Sequence, residues 1–298
     1  MTRKLRELTI KDNFMFGAVM AEEENCRGLL ELVTDIPIQR VEVSREKSFV
    51  YHPQYKGVRL DVYANDERNT CYNVEMQVAR RPALGRRARF YRSQMDMELL
   101  LKGRDYPELP EAYVIFICDF DPFGGGYYRY TFESVCLEDS TQKLQEGCRC
   151  IFLNAVGNRP EAVPAALVHF LQYVHADLES SEEDFQDLFV EQLQKAVRHV
   201  KESREMEERY MVLEEMLREE RAEGKAEGRM EGRAEGKAEG RTEGKAEAIV
   251  ELLRNKGPVS GPLEEKILCE RDEKVLTSWL LLAAGADTAE EFEKQISR

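Results

Sequence analysis

The stretch V58-R-L-D-V-Y-A-N-D-E-R-N-T-C-Y-N-V-E-M-Q-V-A79 constrains the fold more than any other part of the chain. Its residues alternate with period two on either side of a polar turn, so it reads as two antiparallel strands. Val58, Leu60, Val62 and Ala64 share an apolar face with Tyr72, Val74, Met76 and Val78; Arg59, Asp61, Tyr63, Asn73, Glu75 and Gln77 take the other. Centring the turn N65-D-E-R-N-T70 near Arg68 sets Asp61 opposite Glu75 and Arg59 opposite Gln77. Two carboxylates facing each other across a ladder repel by about 1 kcal/mol unless a cation or proton lies between them. Together with the Met76 carbonyl they form a hard oxygen set of the kind that suits magnesium or manganese.

An Asp on one strand followed by Glu-x-Gln on the next resembles the D...(D/E)-x-K core of the PD-(D/E)XK nucleases, with Gln77 in place of the lysine. The flanking segments K11-D-N-F-M-F16, N73-V-E-M-Q77, R89-F-Y-R-S-Q94 and Y113-V-I-F-I-C-D-F-D-P-F123, with the later Glu-Gly repeats, are similar to the Rpn, transposase-like branch of that superfamily. The resemblance implies a mixed α/β sheet flanked by helices, with Asp61 and Glu75 holding Mg2+ or Mn2+ and Gln77 orienting the attacking water. An amide does not titrate in the useful range, so Gln77 is not a general base. The superfamily's first helix often lends an acidic residue, and Asp12 is the best match. Asp12 equally suits a cap in which Thr9 is the N-cap residue, and Glu22 to Glu24 are alternative donors.

Charge narrows the partner. The net charge of -14 rules out a surface coated in basic residues for nucleic acid, so DNA contact must rest on a local patch and on metal. From Arg80 to Arg104 eight Lys or Arg face only Asp96 and Glu98, a local balance of +6. Arg86, Arg87, Arg89 and Arg92 are the candidate phosphate contacts, against the alternative of a solvated helix face that neutralises acidic neighbours. Cys148-x-Cys150 has no second ligand pair at zinc spacing, nor do His52, His169, His175 and His199 lie at short metal spacing. Seven cysteines without a paired framework, and no apolar run of about 18 residues, point to a cytoplasmic protein outside the membrane.

In chain order, Thr9 to Val33 reads as one helix and Val41 to Tyr51 as a strand turning through H52-P-Q-Y-K-G57. A helix from about Gly85 to Lys102 follows the hairpin, with Tyr91 expected as a core aromatic. Ala112 to Cys118 is apolar on both faces and belongs in the middle of a sheet. The loop D119-F-D-P-F-G-G-G126 lacks a nucleotide fingerprint, so its glycines suggest flexibility. Tyr127 to Val135 and Cys148 to Ala155 read as strands and Ala162 to Ala176 as a helix, closing a nuclease-like domain over residues 1–187.

Residues 188–220 read as a charged helix with a short coiled-coil seam at Met206, Tyr210, Leu213 and Leu217. Residues 221–247 repeat basic-Ala-Glu-Gly, with seven basic residues, seven glutamates and six glycines. No opposite charges fall at i+3 or i+4, and each glycine costs about 1 kcal/mol in a helix. The segment is therefore a flexible linker or a helix that depends on a second chain, and low complexity favours the linker. Residues 248–298 form a small helical tail, with T288-A-E-E291 opening its last helix and Trp279 to Leu282 packing within the tail or against another copy. The expected activity is a Mg2+-dependent DNA endonuclease, dimeric through the C-terminal helices; the alternative is a non-catalytic DNA-binding or assembly protein on a degenerate nuclease fold.

Overall fold

The computed structural model describes residues 3–45, 48–49 and 58–296, in two compact units, Met1–Val212 and Leu213–Arg298. The H52-P-Q-Y-K-G57 turn lies outside the described residues. The expected single N-terminal helix is two, α1 (Asn13–Met20) and α2 (Glu23–Thr34). The reason lies in the acidic run at the break. Glu23 and Glu24 are favoured in a first turn by the helix dipole, and Asn25 ties the break together by donating to the Val19 carbonyl and to the Glu22 carboxylate, both at 3.0 Å.

The strands are β1 (Val41–Arg45), β2 (Ser48–Phe49), β3 (Val58–Arg59), β4 (Val62–Asp66) and β5 (Cys71–Gln77). After α3 (Leu84–Leu99) come β6 (Ala112–Cys118), β7 (Arg129–Phe132) and β8 (Cys148–Asn154), then α4 (Ala165–His175) and α5 (Leu188–Glu202). Six strands form one mixed sheet in the order β1-β4-β5-β6-β8-β7, with β5, β6 and β8 parallel. As its composition requires, β6 lies inside the sheet and is buried along its whole length. One face packs on α1, α2, α4 and α5 through residues such as Phe16, Leu30, Val74, Ile115 and Phe170. The other face is covered by α3, whose Ala88, Tyr91 and Met95 meet Tyr63, Val114 and Phe116. The polar face of the hairpin is therefore half core.

The β4–β5 register, Val62 with Val74 and Tyr63 with Asn73, is the one expected from the turn's symmetry. The strand before the turn is shorter than expected. Leu60 and Asp61 leave the ladder, and Arg59 pairs with Ser48 of β2 instead of lying opposite Gln77. This bend also moves Leu60 from the apolar face assigned to it to the α3 side, where it packs with Tyr63 and Cys71. Val78, expected on the apolar face, is exposed beyond the end of β5.

The loop after β6 is organised by one side chain. Asp121 accepts hydrogen bonds from the backbone N–H groups of Phe123, Gly124 and Gly126 at 2.8 to 3.0 Å and from the Tyr130 hydroxyl at 2.9 Å, which replaces the expected flexibility with an ordered turn. Asp121→Ala is expected to cost about 1–3 kcal/mol, measured by thermal unfolding, because three amides lose their acceptor; an unchanged midpoint would show that solvent replaces it.

The first unit runs past the expected boundary at residue 187. Asp187 caps α5 by accepting from the Val190 N–H at 3.0 Å, and Val190, Leu193, Val197 and Val200 are buried in the first core. The α6 helix (Arg204–Arg254) begins there too. Half of the expected coiled-coil seam is consumed within the chain, since Met206 and Tyr210 pack on this core and the Tyr210 ring lies 5.1 Å from that of Phe14. The linker expectation for residues 221–247 is also overturned, because α6 continues through the repeat as helix. Helix propagation needs far less than nucleation, and here both ends are anchored, by Met206 and Tyr210 at one and by Ile249, Val250 and Leu253 at the other.

In the second unit, α7 (Gly261–Cys269), α8 (Glu273–Gly285) and α9 (Ala289–Ile296) close a small core around Ile249, Leu253, Ile267, Leu276 and Phe292. Trp279, Leu280 and Leu282 pack within this tail while Leu281 stays exposed. The expected cap of α9 is present: the Glu291 N–H donates to Thr288 Oγ1 at 3.2 Å, and the Glu291 carboxylate reaches back to the Asp287 N–H at 2.9 Å.

Candidate active site

The bend at Leu60–Asp61 turns the Asp61 backbone toward β5. Its N–H donates to Glu75 Oε1 at 3.2 Å, and its own Oδ2 accepts from the Met76 N–H at 3.1 Å. Although Asp61 has left the ladder, these two bonds tie each carboxylate to the other segment's backbone.

Glu75 is fully buried, and both of its oxygens are engaged. Burial pushes its carboxyl up to about 8, the charge on Asp61 adds to this, and the Arg87 guanidinium pulls the other way, helped by the Asp61 N–H. A carboxylate held this high beside a second one marks a place short of positive charge.

That charge is supplied by Arg87. It leaves the first turn of α3 and spans the site: Nη2 donates to Glu75 Oε2 at 2.8 Å, Nη1 to Gln77 Oε1 at 2.8 Å and Nε to the Tyr91 hydroxyl at 2.6 Å. The guanidinium lies over the Tyr91 ring, which stacks on Phe116. Burial and the nearby Glu75 push the Tyr91 hydroxyl up to about 12 while Arg87 opposes them, so at neutral pH Tyr91 holds Arg87 as a neutral acceptor. The Gln77 amide donates from Nε2 to the Met76 carbonyl at 2.8 Å, which leaves its Oε1 for Arg87. Sequence reading took Arg87 as a phosphate contact and Tyr91 as core. The available signal was their i, i+4 spacing beside N73-x-E-x-Q77, which sets three polar side chains on one strand face under one helix face.

The other candidate residues lie apart. Asp12 precedes α1 and accepts from the Thr9 N–H at 2.7 Å while pairing with Arg3 at 2.6 Å, so its carboxylate closes a local turn. Glu22 is held by Asn25. The point at which α1 approaches Asp61 is Gly17, where an added Cβ would lie 4.0 Å from the Asp61 carbonyl oxygen. Lys11 of the K-D-N-F-M-F segment binds Asp119 at 3.1 Å and the His175 carbonyl at 3.1 Å, a tie between the end of β6 and the end of α4. Arg86 and Arg89 are exposed on α3, and Arg92 pairs with Glu146 at 3.3 Å.

The donor set fits a hard divalent cation of modest protein ligation. Among the described residues no group of three or more His, Cys, Asp or Glu could hold a metal; the protein offers the Asp61 and Glu75 carboxylates and the Met76 carbonyl. Magnesium keeps several waters and accepts such a short ligand list, whereas zinc prefers four tight protein ligands.

A family model described as "PD-(D/E)XK nuclease family transposase" matches residues 10–226, and the chain belongs to this family. No curated protein and no solved structure matches it. The matched span contains the whole sheet, α1 to α5 and the start of the repeat. Nucleases of this superfamily generally use divalent metals. Among the described residues no helix is long and apolar enough to cross a membrane.

Proposed function

We propose that the protein is a metal-dependent DNA endonuclease that hydrolyses phosphodiester bonds during the movement or recombination of mobile DNA. The observation that carries this reading is the Asp61–Glu75 pair, Glu75 wholly buried on an interior strand of the sheet and Asp61 at the bend before β4, each accepting a hydrogen bond from the other segment's backbone. Asp61 and Glu75, with the Met76 carbonyl, would hold Mg2+ or Mn2+. When bound, such an ion supplies Lewis acidity at a phosphate oxygen and a lowered water pKa. The Gln77 amide, once freed from Arg87, would orient water or a phosphate oxygen by hydrogen bonding, and Asp12 stays outside this set. Arg86 and Arg89 supply exposed positive charge for the DNA backbone in a chain that is otherwise acidic. The seven free cysteines suit a reducing cytoplasm.

Supercoiled plasmid incubated with the protein is expected to be nicked or linearised with Mg2+ or Mn2+ and left intact with Ca2+ or chelator. Cleavage that continues in chelator would remove the metal from the mechanism. One observation favours the alternative, a DNA-binding protein on a degenerate nuclease fold: Arg87 already pairs with Glu75. DNA binding with no cleavage in any metal would establish that reading.

A further inference from the structure

Among the described residues, the side chains leave Glu75 no open oxygen for a hydrated ion. Glu75 is 0% exposed, its Oε1 is taken by the Asp61 N–H and its Oε2 by Arg87. Arg87 is the one of these groups with a way out: its side chain is 29% exposed and it hangs from the first turn of α3, beside exposed Arg86. It is held by three directed contacts to Glu75, Gln77 and Tyr91, and by no second carboxylate among its described ion pairs. A guanidinium and a divalent cation answer the same deficit of positive charge. Both cannot stand against Glu75 Oε2, since like charges about 3–4 Å apart in a poorly solvated site repel strongly.

We propose that Arg87 is a built-in counter-cation that occupies the metal-binding position, and that a divalent ion enters only as Arg87 turns out of the site and gives up Glu75 and Gln77. This rests on the nuclease reading above and adds to it a competition inside the protein. Three consequences follow from the geometry. Metal affinity is weakened by the work of displacing Arg87. Gln77 Oε1 is released in the same movement, so the amide becomes available to water or phosphate only when the ion is present. The displaced guanidinium joins Arg86 and Arg89 on α3, adding a positive charge for a phosphate.

The test is Mn2+ binding to the full chain without DNA, by calorimetry, for the wild type and for Arg87→Met, which keeps the length of the stem and removes the charge. Arg87→Met is expected to bind at least tenfold more tightly. Tyr91→Phe, which removes one of the three contacts and leaves Glu75 paired, is expected to bind about threefold more tightly and serves if Arg87→Met does not fold. In wild-type protein carrying 15N-arginine, Mg2+ is expected to shift the Arg87 Nε–H resonance away from its hydrogen-bonded position. Equal or weaker Mn2+ binding in the folded variants, or an Arg87 resonance that ignores saturating Mg2+, would overturn the competition while leaving a metal-dependent nuclease intact. An absence of binding in every variant would overturn both.

Discussion

Glu75→Gln is expected to reduce metal-dependent cleavage at least 100-fold and to flatten the fall in the first unit's stability as pH rises from about 5 toward 8. The first effect follows from charge. A neutral amide has nearly the shape of the carboxylate and still offers an oxygen to the Asp61 N–H, but it leaves Asp61 as the only anion of the pair. The second effect follows from linkage. The carboxyl of folded Glu75 sits at about 8 against an ordinary 4.5, chiefly because it is buried and because Asp61 lies beside it. Between these values the folded chain holds a proton that the unfolded chain has lost, so the contribution of this group to stability is greatest below about pH 4.5 and falls as pH rises toward 8. The slope for one such group is at most about 1.4 kcal/mol per pH unit while it titrates. Two probes separate the units: every tyrosine precedes Val212, and the single tryptophan, Trp279, lies in the second unit. Denaturant titrations in chelator, followed by tyrosine near-UV dichroism from pH 5 to 9, should show the slope in the wild type and a flatter line for Glu75→Gln. Equal slopes would mean that Glu75 ionises normally in the folded protein, and undiminished cleavage would remove it from the site.

The hairpin was legible because its information is local. A symmetric polar turn and a strict period of two fix a register, and the structure adds that Asp66 braces this turn by accepting from the N–H groups of Arg68 and Thr70. The bend at Leu60 was not legible, since a strand that leaves its ladder to meet β2 keeps the same alternation of residue types. The basic run on α3 was legible as charge. Which arginine turns inward was not, because that depends on Tyr91, Gln77 and Glu75 converging from two elements. The α5 helix carries Val190, Leu193, Val197 and Val200 at helical spacing, yet its many charges concealed how much of it is core. The repeat is the limiting case. With no opposite charges in reach within one helix, local energetics leave linker and helix nearly balanced, and the anchored ends decide.

A chain ended after Val212 is expected to remain folded and to sediment as a smaller species than the full chain, whereas one ended after Asp187 is expected to unfold. Losing α5 removes four large apolar side chains from the core, at about 1.5–3 kcal/mol each, which together rival the whole stability of an ordinary domain. Ending at Val212 keeps α5 and the Met206 and Tyr210 contacts. The difference in assembly is expected to come from the repeat, and its charges specify how two copies meet. Residues four apart on a helix advance about 400°, so basic residues, glutamates and glycines each form a stripe, with the first two flanking the glycines on opposite sides. The glycines from Gly224 to Gly244 have open space where a Cβ would stand, and an approach along them brings two backbones close. If the copies run parallel about a two-fold axis, the glutamate flank of each faces the basic flank of the other; if they run antiparallel, like faces like. The stripes drift by about 40° per repeat, so the contact is a right-handed crossing over a few repeats. Parallel dimers are therefore expected at micromolar concentration, weakening as salt rises. Replacing Glu223, Glu227, Glu235 and Glu239 by Lys should yield monomers with the nuclease unit intact. Sedimentation of the full chain as a monomer, or an unchanged dimer in the lysine variant, would show that the repeat does not pair in this way.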